Sequence, residues 1–248
     1  MIDSQSPWPG TPYWCDNNSA VYCGDSRNVL ACFGRRSCDM LVTDPPYGVE
    51  YVSNFGKNHA AITGDDGTLD VPAVLALGTS TLPDGTHCYV FGFAADQLSA
   101  MRLGGTAELI WDKTLTGMGD LTSPWGTSHE RITFGSYWPS TKNRADGRGR
   151  LTARLRKGTV LRVQRTRSDT ARRHPTEKPV ELLSQLIESS SCRGDLVLDP
   201  FAGVGSTGVA AVLLGRRAVC IEISEIYCAV AATRLRAASD LLTKAVNL

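Results

Sequence analysis

The amino-acid sequence predicts an α/β fold in which helices cover both faces of a mainly parallel sheet. Short apolar runs alternate with helix-like stretches, and a glycine-rich turn follows one of these runs. Strands buried on both faces are apolar almost throughout, and strands that alternate with helices are typical of this class. The 248 residues suit one large domain. We therefore expect a single domain over 1–248, with an insertion at 140–173.

The elements follow from these apolar runs and from helix-end signals. Ser26 is a candidate N-cap, Pro179 suits a first helical turn, and Gly215 suits a helix end. The predicted strands are 20–23, 39–43, 87–93, 107–111, 131–137, 195–199 and 218–223. The predicted helices are 26–33, 71–82, 94–103, 179–190, 206–215 and 224–242.

The composition is that of a soluble globular protein. Apolar residues make up 42% and charged residues 21% of the chain. No apolar run approaches the roughly 18 residues that would span a bilayer, and the first ten residues lack a basic n-region. The eight cysteines form no C-x-x-C pair, which argues against a zinc site. We expect free thiols, a cytoplasmic protein and no metal or membrane partner.

One segment concentrates the positive charge. The net charge of the whole chain is +1, but residues 142–173 hold twelve basic and two acidic residues, so this segment carries +10 and the remainder −9. Arginine-rich clusters bind phosphates, which favours a nucleic-acid partner over a merely solvated surface or loop. The segment shows no clear core face, and we interpret it as an insertion or arm. The candidate nucleic-acid-binding residues are Arg148, Arg150, Arg154, Arg156, Lys157, Arg162, Arg165 and Arg167.

The stretch "TDPPYG" at 43–48 follows the apolar run that ends at Val42. Proline fixes φ and lacks an N–H, and it forces the preceding residue into an extended conformation. The stretch should therefore leave the sheet at once and hold Asp44 and Tyr47 in a fixed relation. By itself it is also compatible with a simple strand-ending turn.

The stretch "DLVLDPFAGVGSTG" at 195–208 predicts a nucleotide-binding turn. Gly203, Gly205 and Gly208 satisfy G-x-G-x-x-G between a strand and a helix, and Glu222 closes the next strand. Such an acid can hold ribose hydroxyls. Asp199 directly before the turn would repel the pyrophosphate of NAD but would suit the cations of S-adenosylmethionine. The residues therefore favour S-adenosylmethionine.

The order of these motifs is unusual, because the nucleotide half comes last. Only 26 residues follow Glu222, enough for one helix. The other strands of the sheet must come from the N-terminal part of the chain, so the sequence predicts a circularly permuted sheet.

Taken together, these motifs resemble the β-class amino-group DNA methyltransferases. The matching blocks are "YCGDS" at 22–26, "TDPPYG", "HPTEKPVELL" at 174–183, and "LDPFAGVGSTG" with "CIEIS". "LIWDK" at 109–113 and "SHERI" at 128–132 fit later family elements more loosely. The resemblance spans about residues 20–236 and implies a permuted, Rossmann-like methyltransferase sheet with S-adenosylmethionine as cofactor and double-stranded DNA as partner.

The resemblance also implies roles for individual residues. Asp44 and the carbonyl of Pro45 would accept hydrogen bonds from the target amino group, Pro46 would stiffen this corner, and Tyr47 would stack on the flipped base. Lys178 would lie near the methionine end of the cofactor and Glu222 at its ribose. The full set of implied cofactor-binding residues is Asp25, Thr176, Lys178, Asp199, Phe201, Ala202, Gly203, Gly205, Thr207 and Glu222.

Several alternatives remain open at this point. Asp in the first position of the catalytic motif leans toward adenine N6 in the family, where Ser leans toward cytosine N4. Related enzymes also methylate RNA or protein amides, and a G-x-G-x-x-G turn serves NAD-dependent oxidoreductases too. The short recognition region further suggests a homodimer that shares two target sites. Restriction, regulation and phage defence are all compatible biological roles.

Overall fold

The structure is a computed structural model that describes residues 7–46, 69–114, 124–140, 157–165 and 177–246. Within these ranges a nine-stranded sheet has the order β1-β2-β9-β8-β3-β4-β6-β5-β7. Its strands are β1 Trp14–Cys15, β2 Ser19–Cys23, β3 Met40–Thr43, β4 His87–Phe91, β5 Leu103–Asp112, β6 His129–Tyr137, β7 Val160–Arg162, β8 Leu196–Asp199 and β9 Arg217–Glu222.

The helices of the described ranges connect these strands. They are α1 Ser26–Leu30, α2 Val71–Ser80, α3 Val180–Ser190, α4 Ser206–Leu213 and α5 Glu225–Val246, together with a 3₁₀ helix at Ala95–Met101. Asp25 rather than Ser26 caps α1, because its side chain accepts a hydrogen bond from the Arg27 amide. None of these helices is both long enough and apolar enough to cross a membrane.

The central strands run parallel and carry the site at one edge. β2, β9, β8, β3 and β4 pair in parallel, whereas β6 runs antiparallel to β4 and β5. Leu41 of β3 pairs with Leu198 of β8, although 157 positions separate them in the chain. The carboxyl ends of strands from the first and last fifths of the sequence therefore meet, as the predicted permutation requires.

The core lies on both faces of the sheet. One cluster joins α3, α4 and α5 to the sheet through side chains such as Leu186, Val212 and Leu235. The other joins α1, α2 and the 3₁₀ helix through Leu30, Leu75 and others. The predicted α/β sandwich with helices on both faces is confirmed.

Two edge strands were not predicted, and one of them corrects the interpretation of the basic segment. Within 140–173, β7 pairs with β5, and its Leu161 and the following Val163 are buried while Val160 and Arg162 are exposed. The expectation that this segment has no core face is wrong here. The alternation of two aliphatic side chains is short and is hidden among arginines. Residues 141–156 and 166–173 lie outside the described residues.

The start of strand β5 differs from the prediction. β5 begins at Leu103, where a helix over 94–103 had been expected to end, and it contains a register shift between Gly104 and Ala107. Two glycines at 104–105 make this stretch a poor match to a strand pattern, since glycine has no side chain to pack.

Candidate active site

Four strand ends from distant parts of the sequence form one corner. The amide of Gly24, after β2, donates to the Glu222 carbonyl at the end of β9 (2.9 Å). The Ser26 hydroxyl donates to the Pro200 carbonyl (2.5 Å), and the Thr43 hydroxyl donates to the Asp199 carboxylate (2.8 Å). The G-D element, the strand before "DPPY" and the glycine turn are thus tied to each other directly.

The glycine turn owes its shape to two positive φ angles and one close packing contact. Gly203 has φ +52° and Gly205 φ +77°, a region that favours glycine. A Cβ on Gly205 would come within 2.9 Å of the Ala231 Cβ, whereas one on Gly203 would meet no described atom within 4 Å. Gly205 therefore faces helix α5, whereas no described atom crowds the corresponding side of Gly203.

Asp199 ends β8 with a carboxylate that is only 4% exposed. Its Oδ1 accepts hydrogen bonds from the Thr43 hydroxyl and the Phe201 amide (2.8 and 3.1 Å), and Thr207 donates to it as well. Burial raises the pKa of Asp199 to about 6, and the nearby Asp44 carboxylate adds to this increase. A buried acid without a cationic partner among these donors is suited to a cationic ligand.

Glu222 holds the adjacent strand end in a similar way. Its two carboxylate oxygens accept from the amides of Gly203 (2.9 Å) and Ser224 (2.8 Å). Burial raises the pKa of Glu222 above its usual value despite these bonds. The side chain thus links the start of the glycine turn to the turn after β9, where the ribose acid was predicted.

Asp25 lies at the same edge, where it caps α1. Arg27 forms an ion pair with it (Nη2–Oδ2 2.6 Å). The hydrogen bond from Arg27 lowers the pKa of the Asp25 carboxyl. Phe201 and Ala202 belong to the glycine turn, with Ala202 buried and Phe201 packed against the core.

Asp44 leaves the sheet directly after β3 and forms an ion pair with Lys178. The Lys178 Nζ lies 2.5 Å from Asp44 Oδ2 and 2.9 Å from Glu130 Oε1. It also lies 5.1 Å above the Phe91 ring. Pro45 is buried and Pro46 partly buried. The structure therefore brings the predicted catalytic acid and the predicted methionine-end lysine into direct contact.

Glu130 is a member of this corner to which the sequence analysis gave no role. It lies between Lys178 and Lys113, whose Nζ is 3.0 Å from Glu130 Oε2. Burial would raise the pKa of Glu130, but Lys178 and Lys113 outweigh burial and lower it. Burial would likewise lower the pKa of Lys178, and Asp44 and Glu130 together raise it. The only signal for Glu130 in the sequence is the loosely matching block "SHERI" at 128–132.

The block that carries Lys178 is anchored to the glycine turn by its neighbour. Glu177 accepts a hydrogen bond from Arg234 of α5 (2.6 Å) and one from the Ser206 hydroxyl (3.1 Å). Arg234 also donates to the Val204 carbonyl (2.7 Å). The predicted motif blocks at 174–183 and 199–208 are therefore held together by side chains.

Some predicted residues are outside this corner or outside the described residues. Lys157, Arg162 and Arg165 are exposed, and the first two form ion pairs with Glu188 (3.6 Å) and Asp112 (3.3 Å). The predicted site residues that lie outside the described residues are Tyr47, Arg148, Arg150, Arg154, Arg156, Arg167 and Thr176. Among described side chains, His, Cys, Asp and Glu form no group of three that could hold a metal ion.

Comparisons with known proteins identify the family of the chain. Residues 103–233, more than half of the chain, match the N6/N4 methyltransferase family described as DNA methylase. The chain is 28% identical over 258 aligned residues to the Type II methyltransferase M2.DpnII of Streptococcus pneumoniae, which covers 92% of this chain and 94% of that protein. It is 46% identical over 71 residues to the DNA adenine methyltransferase YhdJ of Escherichia coli (strain K12), covering 29% of this chain and 24% of that protein.

Solved structures show the same fold. The M1.HpyAVI–SAM complex superposes with a TM-score of 0.62 at 19% identity and covers 88% of this chain and 98% of that one. The cytosine-N4-specific PvuII DNA methyltransferase superposes with a TM-score of 0.63 at 16% identity, covering 97% and 96%. One conclusion follows from the family match, the permuted sheet and the meeting of the strand ends that carry "TDPPYG" and the glycine turn. The chain belongs to the N6/N4 DNA methylase family and is an S-adenosylmethionine-dependent DNA methyltransferase.

Proposed function

We propose that this enzyme methylates N6 of adenine in double-stranded DNA. One observation carries the proposal: Asp44, the first acceptor of the "DPPY" corner, lies at the strand end next to Asp199 and the glycine turn, joined through the Thr43–Asp199 hydrogen bond. The partial relative YhdJ is named an adenine methyltransferase, which supports adenine over cytosine N4.

The proposed chemistry is orientation of a weak nucleophile. An exocyclic amine conjugated to an aromatic ring must turn its lone pair toward the methyl group that it attacks. In our proposal the Asp44 carboxylate and the Pro45 carbonyl accept its two N–H bonds, so that the lone pair faces the cofactor. Such fixed acceptors act by orientation and electrostatic preorganisation. Tyr47 supplies the stacking surface for the flipped base.

The corner fits S-adenosylmethionine, which when bound supplies an electrophilic methyl group. Asp199 would face the cationic groups of the cofactor, and Glu222 would accept from the ribose hydroxyls. The open side of Gly203 leaves space for the ligand. The remaining residues proposed for this surface are Asp25, Thr176, Lys178, Phe201, Ala202, Gly205 and Thr207.

The basic segment is the proposed DNA-binding surface. Lys157, Arg162 and Arg165 are exposed on and around edge strand β7, so their charges face outward. We propose that they and the other arginines of 140–173 bind phosphates and include the target-reading side chains. A homodimer that shares two target sites is part of the same proposal, as is action in the cytoplasm.

The test is methylation of mixed-sequence DNA, followed by mass spectrometry of the nucleosides and long-read mapping of modified bases. We expect N6-methyladenine at one recognition sequence. N4-methylcytosine without N6-methyladenine would overturn the adenine assignment. Separate titrations with NADH and S-adenosylmethionine check the cofactor, and we expect only the second to bind.

A further inference from the structure

A row of four charges of alternating sign, one of them buried and three partly buried, crosses the active-site corner. Lys113, Glu130, Lys178 and Asp44 follow one another at 3.0, 2.9 and 2.5 Å. Their side chains are 14%, 17%, 9% and 22% exposed, so solvent screens them only weakly. The row is neutral as a whole, because it contains two cations and two anions.

The lysine of this row poses an electrostatic problem for a methyltransferase. The target amine must lie within a hydrogen bond of Asp44 and within near-attack distance of the sulfonium methyl, so the sulfonium lies within about 10 Å of the Lys178 ammonium. Two positive charges at that separation repel each other in a partly buried site. A lone Lys178 would therefore weaken the binding of the charged cofactor.

Asp44 cannot be the only counter-ion of this lysine without a cost to its own role. Its carboxylate is the proposed acceptor for the amine, and a lysine neutralised by Asp44 alone would pull that carboxylate toward itself. Glu130 offers the ammonium a second carboxylate 0.4 Å farther away than Asp44. Phe91 adds its ring face at 5.1 Å from the same nitrogen.

We propose that Glu130 is a positioning residue that neutralises Lys178, so that the active site accepts a sulfonium cofactor and Asp44 keeps acceptor capacity for the target amine. The inference rests on the proposed function of this site and extends it to a residue that contacts neither substrate. Lys113 is the opposing charge that limits how negative the corner becomes. Discrimination between a charged and a neutral cofactor is then set by the net charge of the row.

The test compares two ligands that differ in one charge. S-adenosylmethionine carries the sulfonium, whereas S-adenosylhomocysteine has a neutral thioether on the same adenosine and amino-acid groups. Dissociation constants for both are measured by calorimetry with wild type and Glu130→Gln. We expect the ratio of the two affinities to shift about tenfold against S-adenosylmethionine in the variant, the effect of one uncompensated charge at that distance.

Two further variants test the sign and the specificity of the effect. Lys113→Met removes a cation from the same row, and the affinity ratio should shift in the opposite direction, toward S-adenosylmethionine. Glu130→Asp should restore most of the wild-type ratio. Glu108→Gln removes an exposed carboxylate that forms an ion pair with Arg131 on the neighbouring strand, and the ratio should stay at the wild-type value.

Equal weakening of both ligands by Glu130→Gln would overturn the proposal, since it would show a purely structural role. If Glu130→Gln fails to fold by circular dichroism, Lys113→Met decides, and an unchanged ratio in that variant overturns the proposal too. Failure of wild type to bind either ligand would instead contradict the proposed function. Tight binding of both by wild type, with no N6-methyladenine formed, would contradict only the adenine assignment.

Discussion

Two neighbouring strand ends carry carboxylates in opposite electrostatic settings. Asp199, at the end of β8, is surrounded by neutral donors from Thr43, Thr207 and the Phe201 amide. Asp44, just after β3, forms an ion pair with Lys178. Burial raises the pKa of the first carboxylate, while the second has a cation within the protein itself.

This difference agrees with the two roles that we propose, binding for one acid and catalysis for the other. Among the described residues no cation pairs with Asp199, and such an acid gains most from a cationic ligand, so Asp199 is suited to attract the cofactor. An acid that forms an ion pair with an ammonium is held in place by it, so Asp44 is suited to orient a neutral amine. In our proposal the same residue type performs two tasks, according to what the neighbouring side chains donate.

The largest expected effect is on methyl transfer, and it comes from replacing Asp44, the proposed catalytic acid. Asp44→Ala removes one of the two acceptors that we propose align the target amine, and we expect methyl transfer to fall about 1,000-fold or more, the upper range for loss of a preorganised polar group. Binding of the neutral S-adenosylhomocysteine should stay within about twofold of wild type, since this ligand senses no change in charge. Single-turnover assays measure methyl transfer, and calorimetry measures the binding of S-adenosylhomocysteine. Near wild-type turnover would show that Asp44 is not catalytic.

The proposed DNA contacts of the basic segment should depend strongly on salt, because salt screens charges that contact phosphates at the protein surface. Replacement of Arg154, Arg156 and Lys157 by Gln should weaken DNA binding about 100-fold at low salt and flatten the slope of log K against log salt by about 2–3. Fluorescence anisotropy over a salt series measures this. Arg35→Gln, an exposed arginine outside the basic segment, serves as the control. An unchanged slope in the triple variant would exclude a phosphate-binding role.

The raised pKa of Asp199, the proposed cofactor-binding acid, predicts that cofactor affinity depends on pH. Because the pKa of Asp199 is about 6 in the folded protein against an ordinary 3.8, the side chain gains a proton as the pH falls through 6. Affinity for S-adenosylmethionine should then decrease by up to about tenfold per pH unit. The free energy of unfolding of the protein without cofactor should change in the opposite direction. Because folding raises the pKa of this acid, the fold becomes more stable as the pH falls from 6 toward 3.8.

Asp199→Asn isolates this group. We expect affinity for S-adenosylmethionine to fall about 10- to 100-fold at pH 7.5, the range for lost bonds to a charged partner, and the pH dependence below 6 to disappear. Asp195→Asn, before the opposite end of the same strand, is the matched control. Calorimetry between pH 5 and 7.5 follows both. A variant that keeps the wild-type pH profile would remove Asp199 from this role.

The smallest expected effect comes from replacing Glu222, and it distinguishes recognition of the ribose from recognition of the sulfonium. Glu222→Gln weakens acceptors for the proposed ribose hydroxyls, and we expect S-adenosylmethionine and S-adenosylhomocysteine to lose about fivefold each, the difference between charged and neutral hydrogen bonds. Because both ligands carry the same ribose, most of this loss should be common to both. A selective loss of the sulfonium ligand would assign Glu222 to charge recognition instead.

Much of the fold could be predicted because local patterns and packing agree. The apolar run at 218–223 is a strand at Arg217–Glu222, and the glycines at 203–208 lie between a strand and a helix as predicted. These residues encode their conformation locally. The edge strand β7 could not be predicted, since its three residues gain their pairing only from β5.

The charge row shows why part of the site could not be predicted from the sequence. Lys178 was expected near the methionine end from its motif, but its partners Asp44 and Glu130 lie 134 and 48 positions away. A charge pair across such distances leaves no periodicity in the sequence. Glu130 alternates on β6 like any other polar strand residue, and only the pairing of β6 with β4 and β5 brings it into the corner.

The pairing of Leu41 with Leu198 has a consequence for biosynthesis. At about 5–20 residues per second, the ribosome needs roughly 8 to 30 s after it has made β3 to supply the neighbouring strand β8. During that interval the apolar edge of β3 has no permanent partner on this side, and such unpaired edges are prone to aggregate. Nascent chains should therefore bind chaperones until β8 and β9 are translated, and conditions that slow translation over 50–195 should lower the soluble yield.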